Sequence, residues 1–63
     1  MNVTQHIRKL ESVGFTEETL DRAIALAGAD RLAYQMLHQA VTLQGLSPAE
    51  ALRVLEADRS ANI

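Results

Sequence analysis

Three glycines, Gly14, Gly28 and Gly45, cut the 63-residue chain into four segments, and each segment has the length and composition of a short α-helix. Glycine just past a helix end accepts the left-handed backbone that closes the last turn. Two of these stops carry a further mark, an apolar residue after the glycine facing one four residues before it. Leu10 with Phe15 fits this spacing around Gly14, and Val41 with Leu46 fits it around Gly45. A chain so divided leaves little room for anything except a bundle of helices.

The starts are specified as well. Asn2 and Gln5 can form a capping box for a first helix over 3–13. Thr16, followed by Glu17 and Glu18, caps a second helix over 17–27 and sets two carboxylates at its positive end. Asp30 caps a third over 31–44. Ser47-Pro48-Ala49-Glu50 opens a fourth over 48–59: serine caps, proline takes the first helical position and Glu50 completes the box. The tail 60–63 is expected to fray.

Apolar spacing agrees with this division. The first helix carries Val3, Ile7 and Leu10 beside Val13, and the second carries Leu20, Ala23, Ile24 and Ala27. The third carries Ala33, Met36, Leu37, Ala40 and Val41, with Leu32 and Leu43 widening its stripe. The fourth carries Ala51, Leu52 and Leu55 beside Val54. These are the offsets of amphipathic helices, and no strand-length alternation occurs. The widest apolar arc predicts that the third helix sits at the centre. The expected fold is therefore a single all-α domain spanning 1–63.

Composition excludes several functions. There is no cysteine, so neither disulfides nor thiolate metal sites exist. A net charge of -2 gives no electrostatic reason to bind nucleic acid or an anionic membrane. No apolar run approaches the roughly 20 residues of a membrane span. The opening Met1-Asn2-Val3-Thr4-Gln5-His6 lacks the layout of a signal peptide, so a cytoplasmic location is expected. His6 and His38 are not paired at helical spacing, and they read as surface or half-buried side chains; no metal or cofactor is expected. Serines and threonines sit at helix ends, and a bundle this small encloses a substrate pocket with difficulty, so an enzyme is not expected.

Residues 10–37 resemble the ubiquitin-associated family of three-helix domains. The resemblance rests on Leu10, Val13-Gly14-Phe15, Ala23-Ile24, Gly28-Ala29-Asp30, Ala33 and Leu37, and it covers under half of the chain. It implies a three-helix core and a ubiquitin-binding patch formed by the Val13-Gly14-Phe15 turn with the end of the third helix near Met36-Leu37. Two departures stand out. The second loop is one residue short, and a fourth helix follows whose packing decides whether that patch is accessible.

What remains is protein recognition. Leu26, Leu32, Leu43, Val54 and Tyr34 fall off the central stripes, either to pack the fourth helix or to form a partner surface. The expected function is a small module that binds and regulates a larger protein. Its expected surface joins Val13, Gly14 and Phe15 to Tyr34, Met36 and Leu37, with Tyr34 as the anchor. A homodimer would bury the same patch. The runner-up is a helix-turn-helix DNA binder presenting Arg31, Gln35, Gln39 and Gln44, against which the charge deficit counts. Ubiquitin recognition is the third reading.

Overall fold

The computed structural model describes residues 3–61 and is all-α, with α1 (Val3–Ser12), α2 (Glu17–Ala27), α3 (Arg31–Thr42) and α4 (Pro48–Ala61). Helices α2 and α3 each pack against all three others, and among the described residues α1 and α4 make no close backbone approach to each other. The third helix packs more extensively than α2 on the two outer helices, in the central position expected of it, which α2 shares.

The first stop forms as its spacing implies. The Phe15 N–H donates to the Leu10 carbonyl at 3.1 Å and the Gly14 N–H donates to that of Glu11 at 3.1 Å, the paired bonds of a Schellman cap. Leu10 and Phe15 are both buried, so the hydrophobic half of the motif is part of the core. The third stop differs. Helix α3 ends at Thr42, two residues early, and the Leu46 N–H reaches the Ala40 carbonyl at 3.0 Å rather than that of Val41. The Gln44 N–H meanwhile spans five residues back to Gln39. The last turn widens, yet Val41 and Leu46 still pack on the core.

Between α2 and α3 the chain reverses through Ala27-Gly28-Ala29-Asp30, closed by the Asp30 N–H on the Ala27 carbonyl at 2.9 Å. Gly28 has φ 57° and ψ -116°, the first central position of a type II′ turn, which glycine alone occupies without strain. Asp30 then caps α3, its Oδ1 accepting from the Leu32 N–H at 3.0 Å.

The starts follow their expected caps. The Thr16 hydroxyl accepts from the Thr19 N–H, and the Thr19 hydroxyl accepts from the Thr16 N–H at 2.7 Å. This box is closed by threonine where glutamate or glutamine is usual, so sequence inspection finds only its first half. Ser47 and Glu50 make the reciprocal pair at 3.2 Å each way. The Ser47 backbone N–H, and after it the Ser47 hydroxyl, hold the Glu50 carboxyl below its ordinary pKa. The Asn2–Gln5 box expected for α1 falls outside the described residues.

Helix α4 runs past Arg59 to Ala61, through the first half of the tail expected to fray. No glycine or proline stops it there, and Arg59 sits where a cation suits the negative end of the helix. Its Nη2 also meets Oδ2 of Asp30 at 3.1 Å, joining the end of α4 to the cap of α3. The rest of the expected tail, residues 62–63, lies outside the described residues.

The core comprises Leu10, Phe15, Ala23, Ala27, Ala33, Tyr34, Leu37, Ala40, Ala51, Leu52 and Leu55. Alanines on α2 and α3 let these helices approach closely, so a chain this short can bury leucine and tyrosine side chains completely. Two residues of this interior depart from expectation. Tyr34 is 1% exposed, and it takes the inward place that periodicity had offered to Met36. His6 is 5% exposed rather than on the surface or half-buried, and its ring stacks on Tyr34 with centroids 5.5 Å apart and planes 14° from parallel. On α1 the buried pair is thus His6 with Leu10, one turn apart, while Ile7 is only half-buried.

Candidate functional site

Six residues were expected to form the partner surface, and the fold separates them. Phe15, Tyr34 and Leu37 are core residues. Tyr34 cannot serve as an exposed anchor, because its ring lies against His6 and its hydroxyl donates to the Gly28 carbonyl at 2.7 Å. Burial also raises its pKa. Val13 is half-buried, Gly14 is exposed and Met36 is 37% exposed. Only these three of the six offer atoms to a partner.

The apolar surplus divides in two. Leu26 and Tyr34 go inward, whereas Leu32, Leu43 and Val54 stay in solvent. Leu32 is 69% exposed and Leu43 is 80% exposed, the two most exposed large apolar side chains of the described residues. At about 100° of rotation per residue, Leu32 and Met36 of α3 and Leu43 at its C-cap, which keeps helical backbone, fall within about 40° of arc, with Gln39 beside them. They form one outward stripe about 16 Å long at 1.5 Å per residue. This stripe was visible in the sequence only as a widening of the core face.

The two flanks of the stripe differ. Toward α4 lies a shallow depression lined by Asp30, Leu32, Ala33, Met36, Asp58 and Arg59. Toward α1, Gln35 and Gln39 border a groove of about 300 Å³ that His6, Lys9, Tyr34 and His38 also line. The two histidines, unrelated by spacing, thus share one groove. Two imidazoles fall short of the three or four protein ligands of a metal site, and among the described residues no three His, Asp or Glu side chains converge to hold an ion.

Magnitudes indicate what the stripe can do. Burying a leucine or methionine side chain fully yields about 1.5–3 kcal/mol, so the three residues together offer several. Association costs at least about 4 kcal/mol. Burial of these three side chains would by itself do little more than offset that cost; Gln35 and Gln39 are exposed beside them.

Five serine and threonine hydroxyls have structural employment. Ser12 donates to the Lys9 carbonyl at 2.6 Å and Thr42 to that of His38 at 2.9 Å. Thr16, Thr19 and Ser47 are held in their capping boxes. Among the described residues no helix is long and apolar enough to cross a membrane. No protein-family model matches the chain, and no curated protein or solved structure is significantly similar to it.

Proposed function

We propose that this domain is a non-enzymatic protein-interaction module that regulates a larger protein by occupying part of its surface, with Leu32 and Met36 of α3 and Leu43 at its C-cap as the contact. The observation that carries this reading is the alignment of two largely exposed leucines and a methionine on a single helix face. Interface centres are apolar and poor in charge with a polar rim, and the adjoining Gln35 and Gln39 on one side, with Asp30, Asp58 and Arg59 on the other, supply such a rim. The engagement of five hydroxyls, in the capping boxes of α2 and α4 and on last-turn carbonyls of α1 and α3, supports a non-catalytic role.

Capture of the tagged protein from its native lysate after nuclease treatment tests the proposal. The expected result is one stoichiometric protein partner. Recovery of the bait alone speaks against it. Salt-sensitive binding to duplex DNA would favour the exposed Arg31, Gln35, Gln39 and Gln44 as a recognition face instead. Ubiquitin recognition would have to use Val13, Gly14 and Met36, and chemical-shift changes confined to these on adding ubiquitin would favour it.

A further inference from the structure

Charged residues make up 22% of the chain, yet no Asp, Glu, Lys or Arg occurs from Leu32 to Leu43. Gln35, Gln39 and Thr42 are the exposed polar residues of this stretch, beside the exposed Leu32, Met36 and Leu43. The solvent face of an amphipathic helix is normally charged. This one has instead the charge-poor composition of an interface centre.

The order of residues along the face indicates what fits it. Leu32, Met36, Gln39 and Leu43 follow one another at intervals of four, three and four residues, the spacing of a coiled-coil seam. The series is also palindromic. Leu32 and Leu43 lie equally far from its midpoint, between Leu37 and His38, and so do Met36 and Gln39. A second α3 laid antiparallel about a two-fold axis at that midpoint therefore sets Leu32 against Leu43 of the second copy at both ends. Between these ends each Met36 meets a Gln39. A two-fold interface demands such self-matching, because one patch makes every contact twice. Charge agrees with this orientation. Arg31, just before the stripe, comes to the carboxyl end of the opposite α3, where the helix dipole favours a cation. A parallel pair would bring the two Arg31 side chains together.

We infer that a second copy of this chain covers the stripe in the free protein, as an antiparallel α3–α3 pair. This deepens the preceding reading and rests on its placing the contact surface at the stripe. It adds a regulation: self-association hides the residues that meet the larger protein, so the two occupancies exclude each other. The second copy brings a stripe of its own, doubling the apolar surface withdrawn from water against a single cost of association. Area sets the strength. A standard interface takes about 800 Å² from each partner, roughly a fifth of the 4227 Å² of this domain's surface. One face of one helix supplies less, so the dimer is weak and exchanging, with a Kd on the order of 0.1–1 mM.

Sedimentation equilibrium of the purified protein, from about 0.01 to about 2 mM, tests this. The expected mass rises with concentration from 6.9 kDa toward twice that value. Leu32→Glu and Leu43→Lys replace exposed side chains, each with a charge suited to its end of the helix. Each variant alone should bind itself at least about tenfold more weakly and stay monomeric over most of the range. Circular dichroism at about 10 µM, where all forms are monomeric, checks that both fold. An equimolar mixture of the two should recover the dimer. The antiparallel pair sets the new carboxylate against the new ammonium at one end and keeps Leu32 against Leu43 at the other. A mass of 6.9 kDa at every concentration overturns the inference, as does a dimer that survives unchanged in either variant. A mixture of folded variants that stays monomeric overturns it too, because only antiparallel pairing predicts the recovery. No other protein is present in these experiments, so a monomeric result leaves the larger partner to the capture experiment, and a failed capture leaves the dimer standing.

Discussion

The Tyr34 hydroxyl donates to the Gly28 carbonyl at 2.7 Å, so one core side chain of α3 fastens the turn that ends α2. The ring of the same residue stacks on His6 of α1. Tyr34 therefore joins three helices, and its substitution should report on folding rather than on binding. Tyr34→Phe should lower stability by about 1 kcal/mol, the net worth of a hydrogen bond. Tyr34→Ala should cost about 3–5 kcal/mol, much of the margin of a domain this size. Denaturant unfolding followed by circular dichroism checks both.

The same burial sets an alkaline limit. Because the folded-state pKa of Tyr34 is raised, the folded protein holds its proton more tightly than the unfolded chain does. Its contribution is complete below the ordinary tyrosine pKa of about 10 and is lost as pH rises through the higher folded value. Melting temperatures measured upward from pH 9 should fall more steeply for the wild type than for Tyr34→Phe.

His6→Phe should stabilise the protein by about 1–3 kcal/mol, since it keeps a ring against Tyr34 and removes a buried nitrogen that has no partner. A lowered melting temperature would show that Nε2 is satisfied in solution.

The fourth helix depends on its opening box. Ser47→Ala should cost about 1 kcal/mol. Glu50 supplies the acid counterpart: its folded pKa is lowered by Ser47, so its contribution is present above the ordinary glutamate value and lost as pH falls through the folded one. Acid titrations of wild type and Glu50→Gln should therefore converge at low pH. Curves that stay apart through the acid end of the titration would place the stabilisation elsewhere.

The helix starts at α2, α3 and α4 and the stop at Gly14 were legible because they depend on local chemistry, whereas the ends of α3 and α4 fell two residues from where they were expected. Thr16, Asp30, Ser47-Pro48 and the Leu10–Phe15 pair each specify backbone hydrogen bonds within a few residues. The orientation of α3 was not legible. Apolar residues occupy most of its circumference, so periodicity permits more than one inward face, and the choice falls to the neighbours. The Gly28 carbonyl satisfies the tyrosine hydroxyl and the His6 ring covers its face, which draws Tyr34 inward and leaves Met36 at the rim. His6 itself, set between Gln5 and Ile7 and followed by Arg8 and Lys9, carries no sequence sign of burial. Both surprises come from one long-range ring pair, which spacing along a single helix cannot show.

The most direct test of the stripe is capture of the native partner with wild type and with Leu32→Ser/Leu43→Ser compared side by side. Both leucines are largely exposed, so the double variant should fold, with each change shifting stability by no more than about 0.5 kcal/mol. The account predicts a stoichiometric partner on the wild type that is lost from a variant of unchanged helicity and melting temperature. Equal recovery of the partner by the folded double variant would contradict it.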